Sequence, residues 1–423
     1  MGLISTKTYE DLLGDALETL LGREAATLDD FVAGLNERNV RGPAGQTWTM
    51  ALLSDELGRL ARYADDHRGA DQLLRRPPHQ RLVTQPFADP PETPEALLES
   101  GLPNLWYLVA RSSDIADRPV GLRRLSRNIV FWRNSAGSLN VVEDYCPHRG
   151  APLSLGQIVG DNVACPYHGI KITGKGEIAE VPPTLDCPLV GKTFIKSYAS
   201  REVGGAVWVY FGDATSPPEP ILPVEVVSPE WSSFLFMTVW NCNWQIALDN
   251  RLDPIHGSFL HEGTFTLGAG RKDAVLKIEE TPTGFQTYRT NQHGVNIDWH
   301  EAVFHPDNAI WVTTEIPYPP SFGGGSFRIN GFPTPIDTET TLVWFYRSRK
   351  ISGWQRDMWR FLYWNRLEAR NLDVVEQDRV VLEAIPLQAH KRERMIQTDV
   401  AVAQMRRRLR AEAQRALAAA QPK

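Results

Sequence analysis

Asp144-Tyr145-Cys146-Pro147-His148-Arg149-Gly150 and, sixteen residues after that histidine, Cys165-Pro166-Tyr167-His168-Gly169 decide how the chain is read. Each segment pairs one thiol with one imidazole, first as Cys-x-His and then as Cys-x-x-His. Such a set suits a [2Fe–2S] cluster in which two thiolates hold one iron and two imidazoles hold the other. Neutral imidazole in place of charged thiolate raises the reduction potential, so the cluster is expected to take electrons from a lower-potential donor and pass them on. Zinc also accepts two Cys and two His, but its usual pattern keeps the cysteines together and the histidines together. Pro147 and Pro166 directly follow the cysteines and stiffen both ligand loops by fixing φ.

The stretches Asp144–Gly156 and Cys165–Gly169 resemble the two cluster loops of Rieske non-heme iron oxygenases. Ile170 stands where many members carry Trp, so the packing behind the second loop is expected to differ while the ligands are intact.

A second metal site is written in Asp249-Asn250-Arg251-Leu252-Asp253-Pro254-Ile255-His256-Gly257-Ser258-Phe259-Leu260-His261. Two histidines and one carboxylate on one face form the facial triad of non-heme Fe(II) oxygenases, which leaves positions open for O2 and substrate. Histidines five apart do not share a face of a regular helix. Asp253-Pro254, however, supplies an N-cap and a first-turn proline, so the helix is expected to break and restart there and let both imidazoles converge. The carboxylate must come from elsewhere. In the helix expected over 354–384, Asp378 has Val374, Val375, Val381, Leu382 and Ile385 at helical spacings, and a carboxylate in an apolar stripe needs a partner or a metal. Asp373, Glu376 and Glu383 are less well centred alternatives.

Asn243–His261 is similar to the iron-binding segment of the same oxygenases, especially the vanillate O-demethylase and dicamba monooxygenase group, and Glu376–Glu383 to that group's late segment. The resemblance covers residues 100–400. It implies that His256, His261 and Asp378 bind Fe(II), that Asp253 links an iron-ligand histidine to a cluster histidine of the adjacent subunit, and that Asn250 lies beside the iron without binding it. It further implies a homo-oligomer, a trimer, in which each cluster serves the neighbouring iron and O2 is used to hydroxylate an aromatic or related small organic substrate. Oxidative O- or N-demethylation is the expected reaction, and ring hydroxylation, including cis-dihydroxylation, is the second reading. Asn291, His293 and Trp344, assigned to strands between 285 and 347, are candidate pocket residues. With no flavin or nicotinamide fingerprint in the chain, electrons are expected from a separate NAD(P)H-dependent reductase, a ferredoxin or both. A Rieske electron carrier without oxygenase activity is the alternative from another class, and it leaves His256, His261 and Asp378 without a role.

Composition frames these sites. The 423 residues carry a net charge of −6, which argues against a nucleic-acid binder. No apolar run of membrane-spanning length and no secretory leader is seen, so no membrane contact is expected. Of four cysteines, Cys187 and Cys242 remain outside the cluster and read as reduced thiols of a cytoplasmic protein.

Three regions of an α+β chain are expected. Residues 1–95 read as a helical extension and Pro-rich linker, 100–216 as a small all-β Rieske domain, and 217–423 as an antiparallel sheet with helices, a helix-grip, START-like catalytic domain. In the last region strands are read at 275–290, 309–316, 326–332 and 340–349, with residues 333–338 too Pro-rich for a strand interior. Leu35–Gly45 resembles a segment of the DNA-binding part of serine recombinases. Its mixed charge favours a helical extension docked on the enzyme or a neighbouring subunit.

Overall fold

The computed structural model describes residues 8–23, 25–74, 91–184, 186–214, 216–264, 267–304, 308–318 and 324–420, with side chains of 66–74 excepted. Of the Pro-rich linker expected from Pro77 to Pro94, residues 77–90 lie outside the described residues, and Pro94 is the first residue of a short helix.

The chain begins with α1 (Tyr9–Leu21), α2 (Leu28–Glu37) and α3 (Met50–Leu74). Thr8 and Thr27 open the first two as reciprocal caps. Each hydroxyl accepts from the N–H of Asp11 or Asp30, and each of those carboxylates accepts from the threonine N–H. The apolar faces, with Leu13, Leu17, Leu20, Phe31, Leu35, Leu53 and Leu57, close on one another and on Met358, Phe361 and Leu362 of the catalytic domain. Ion pairs ring this contact: Arg366 with Asp11 and Asp15, Arg360 with Asp65, and Arg370 with Glu18. The extension is therefore docked on its own chain.

After α4 (Pro94–Ser100) come ten short strands: β1 (Trp106–Arg111), β2 (Val120–Arg124), β3 (Arg127–Arg133), β4 (Leu139–Glu143), β5 (Gln157–Val159), β6 (Asn162–Ala164), β7 (Lys171–Ile172), β8 (Ile178–Glu180), β9 (Ser200–Val203) and β10 (Ala206–Tyr210). They form three antiparallel sheets, ordered β1-β10-β9, β2-β3-β4 and β5-β6-β7-β8.

The catalytic region runs through α5 (Val224–Val227), β11 (Trp231–Trp240), α6 (Trp244–Leu252), α7 (Gly257–Leu260), β12 (Leu276–Thr281), β13 (Gly284–Arg289), β14 (Trp299–Phe304), β15 (Ile310–Pro317), β16 (Ser326–Pro335), β17 (Thr341–Lys350), α8 (Gly353–Leu362), α9 (Glu368–Leu382) and α10 (Val400–Ala420). Its seven strands make one antiparallel sheet in the order β11-β17-β16-β15-β14-β13-β12. Side chains alternate between its faces with period two. On β17, Leu342, Trp344 and Tyr346 pack with Trp106 and Trp208 of the cluster domain, whereas Val343 and Phe345 pack with Ala247 of α6 and Val375 and Leu382 of α9. The sheet thus seats Trp106 and Trp208 on its outer face and the helices on its inner face, while Tyr107 and Val109 share a core cluster with Trp244 and Leu248 of α6.

Three details differ from the sequence reading. Residues 275–290 form a hairpin, β12 and β13, because Pro282 and Gly284 turn the chain; a Cβ on Gly284 would lie 2.0 Å from the carbonyl oxygen of Ala302. β16 continues through Pro333 and Pro335, because β15 pairs with it only as far as Gly331 and beyond that point no neighbour on that side requires a donor. The helix expected over 354–384 is divided by a π-helical turn, Tyr363–Leu367. Substituting Leu17→Ala, fully buried between extension and enzyme, is expected to cost about 2–5 kcal/mol. Arg370→Ala, which breaks a mostly exposed pair, should cost about 1 kcal/mol or less. Guanidinium unfolding followed by tryptophan fluorescence measures both.

Two candidate metal centres

The two loops at the tip of the cluster domain are built alike. The Cys146 N–H donates to the Ala151 carbonyl at 2.8 Å and the Cys165 N–H to the Ile170 carbonyl at 2.8 Å. Gly150 and Gly169 donate back to the carbonyls of Cys146 and Cys165, each in the left-handed region (φ 74° and 70°) that glycine adopts without strain. Both thiols point inward and are buried, whereas His148 is exposed and His168 half-buried. The Nδ1 atoms of His148 and His168 lie 3.2 Å apart. Two nitrogens bound tetrahedrally to one ion at about 2.0–2.1 Å sit about 3.4 Å apart, so this pair fits a shared iron. Burial pushes the Cys146 thiol up to about 11, and neighbouring Cys165 adds to the shift. A bound cation would be needed to hold the Cys146 thiol as a thiolate at neutral pH.

In the second centre, α6 ends at Leu252, Asp253 caps it, and the chain restarts as α7 at Gly257. Asp253 Oδ1 accepts from the Ile255 N–H at 2.7 Å, which holds the break open. His256 and His261 flank α7 and turn toward one carboxylate. Asp378 Oδ1 on α9 lies 3.5 Å from His256 Nε2 and 3.2 Å from His261 Nε2, and the three candidate ligand atoms lie within 4.8 Å of one another. The other imidazole nitrogens have acceptors: His256 Nδ1 is 2.6 Å from the Asp253 carbonyl, and His261 Nδ1 is 2.8 Å from Gln377 Oε1. With Nδ1 as donor, Nε2 keeps its lone pair for a metal on both rings. Asn250 Nδ2 donates to Asp378 Oδ1 at 3.2 Å. Burial works to raise the Asp378 carboxyl, but the hydrogen bonds and charge of His256 and His261 outweigh it and hold it well below the usual range. The donor set is two imidazoles and one carboxylate, the set that non-heme Fe(II) takes.

The structure brings Cys146, His148, Cys165 and His168 together at one point, and His256, His261, Asp378, Asn250 and Asp253 at another. It does not bring the three candidate pocket residues there. β13 ends at Arg289, so Asn291 and His293 lie in the loop beyond it. Asn291 Oδ1 accepts from the Val275 N–H at 3.2 Å, and His293 is exposed. Trp344 points from the outer face into the packing against Trp106 and Trp208. A strand assigned without its register cannot say which face a residue occupies. Gln377 escaped the sequence reading because its neighbour Asp378 accounted for the apolar stripe, and nothing in the periodicity marks Gln377 itself.

Residues 105–199 match the family described as Rieske [2Fe-2S] domain, and residues 240–415 match the vanillate O-demethylase oxygenase C-terminal domain. Together the two matches span more than half of the chain and enclose every residue of both centres. The chain belongs to the Rieske non-heme iron oxygenases. Residues 5–62 of this oxygenase also match a recombinase-like helix-turn-helix domain. Among curated relatives, the vanillate O-demethylase oxygenase subunit of Pseudomonas sp. (strain HR199 / DSM 7063) is 34% identical over 42% of this chain and 48% of its own length. The toluene-4-sulfonate monooxygenase system iron-sulfur subunit of Comamonas testosteroni is 28% identical over 66% of this chain and 87% of its own. The chain thus spans about half the length of the first relative and most of the second. Dicamba monooxygenase bound to dicamba shares the fold, with a TM-score of 0.60 and 21% identity over 75% of this chain and 98% of the other.

Asp378→Ala is expected to lower iron from about three to about two atoms per chain while acid-labile sulfide and the cluster's EPR signal stay unchanged. Gln377→Leu frees the His261 ring and should weaken Fe(II) binding about 10–100-fold, measured by competition with a chelator.

Proposed function

We propose that this chain is the terminal oxygenase of a multicomponent system and hydroxylates a small aromatic substrate, most directly the methyl carbon of an O- or N-methyl group, with release of formaldehyde. The observation that carries the reading is the convergence of His256, His261 and Asp378, with each imidazole Nδ1 facing an oxygen acceptor, in a chain that also presents a cluster tip. When bound, the [2Fe–2S] group would carry single electrons and the Fe(II) would supply the centre at which O2 is reduced. The protein's part is to hold these groups. Cys146, Cys165, His148 and His168 would hold the cluster, and His256, His261 and Asp378 the iron.

Electrons come from a separate electron-transfer partner in this reading. The relative from Pseudomonas is itself named as one subunit of its enzyme. A neighbouring copy of the chain is the natural recipient of the cluster's electrons. Within one chain Trp106 and Trp208 of the cluster domain pack on the outer face of the sheet, whereas α6 and α9, which bracket the iron site, pack on the inner face. The opposite side of the iron site opens instead into a groove of about 480 Å³ that is lined by Asp253, His256, Val381 and His390. Asp253, half-buried with its carboxylate 4.0 Å from His256 Nδ1, is placed to join that histidine to an incoming donor. A head-to-tail ring, a trimer, closes such contacts. Among the described residues no helix is long and apolar enough to cross a membrane.

The test is turnover of methoxy- and N-methyl-arenes with a surrogate reductase. Formaldehyde formed in step with O2 consumption is expected. A cis-diol without formaldehyde would move the reading to ring hydroxylation. About two irons per chain in anaerobically purified protein, unchanged in His256→Ala/His261→Ala, would leave an electron carrier.

A further inference from the structure

Arg251 is a cation on the inner face of the catalytic sheet with no carboxylate bonded to it among the described residues. Arg251 leaves α6 toward the strands, donates from Nη2 to Thr314 Oγ1 at 2.7 Å, and lies 5.4 Å from the Phe345 ring. Its Nε is buried without a partner. Gly331 makes the room, since a Cβ there would stand 2.9 Å from that Nε. The Arg251 side chain is half-buried.

Other buried cations of this face have more partners, although Arg289 also keeps an unpartnered Nε. Arg347 is paired with Glu368 at 2.9 Å, and Arg289 donates to the carbonyls of Arg271 and Pro254 and to Ser258 Oγ. The Asp378 charge is felt at Arg251, but that carboxylate is already committed to His256, His261 and their metal.

Register extends a polar line from this cation. Thr314 stands opposite His300, and His300 opposite Thr287, so all three side chains share the face that Arg251 meets. His300 Nε2 and Thr287 Oγ1 are buried and unpartnered. Burial and the Arg251 charge keep the imidazole neutral, its pKa pushed down to about 3. Two residues after Thr287 on the same face, Arg289 donates to Pro254 and Ser258, inside the segment that carries the iron histidines. The line therefore ends on the segment that carries the iron histidines, and at its other end Arg251 feels the Asp378 charge. Orphaned polar groups are costly in a folded interior and call for a ligand that completes them.

We propose that Arg251, assisted by His300 and Thr287, holds an oxyanion of the aromatic substrate, a carboxylate or sulfonate, and so directs the rest of the molecule toward the iron site. The guanidinium supplies charge and a planar pair of donors, while neutral imidazole and hydroxyl add N–H and O–H. The inference rests on the oxygenase reading and names the substrate class for it.

Anaerobic calorimetric titration of the reduced holoenzyme tests it with 4-methoxybenzoate, 4-methoxybenzenesulfonate and the neutral 4-methoxybenzamide. At least one anion is expected to bind about tenfold or more tightly than the amide, with the preference abolished in Arg251→Gln and amide binding unchanged. Thr287→Val and His300→Phe should each weaken the anion several-fold. Arg251→Met separates a ligand site from a structural arginine. Removing a buried cation reserved for a ligand leaves the melting temperature of the ligand-free enzyme unchanged or higher, and the anion no longer raises it. A lower melting temperature in that variant, no anion preference in the wild type, or a preference that survives Arg251→Gln overturns the proposal. Anion binding through Arg251 in a protein that consumes no O2 would keep the site and remove the reaction. O2-dependent turnover of neutral arenes alone would do the reverse.

Discussion

A carboxylate cannot stay ionised inside a protein without positive partners, and Asp378 is buried where His256, His261 and their metal supply them by direct contact. That requirement ties α9 to the break between α6 and α7, two segments more than a hundred residues apart. Other features follow from it. Gln377, one residue before Asp378, is carried to His261; Asn250, on the last turn of α6, is carried to Asp378. The helices must then lie flat on the inner face of the sheet, which fixes the residues beneath them.

The two centres were legible because their chemistry leaves short, rigid traces. Cysteine and histidine alternate within each cluster loop, and the Asp-Pro pair announces the break that lets His256 and His261 converge. Asp378 could be found because it interrupts an apolar stripe. The floor of the catalytic domain left no such trace. His300, Thr287 and Arg251 meet only through the registers of β13, β14 and β15, and register is a property of pairs of strands. The same blindness misplaced Trp344, one position from the inner-facing Phe345. β11 and β14 passed unread as strands, and the turn at Pro282–Gly284 was absorbed into one long strand.

The N-terminal helices carry a different lesson about resemblance. Their sequence matches a recombinase-like helix-turn-helix domain, yet α3, the longest of the three, closes its apolar side on the catalytic domain. Among the described side chains, what remains outside on α3 includes Asp55, Arg59 and Arg62, charges of both signs rather than a uniformly basic face. A motif specifies how three helices pack; which surface they offer depends on what they pack against.

β17 gives the molecule two separate design ledgers on one strand. Odd-numbered positions from Val343 to Arg347 seat the helices that carry the metal site, and the even-numbered ones between Leu342 and Tyr346 seat the cluster domain. Substitutions of one parity can therefore drift under selection for new substrates while the seat of the redox domain is inherited unchanged. A single inserted residue would exchange the two sets and damage both at once. Diversification by point substitution, with strand length held fixed, is the evolutionary path this sheet permits.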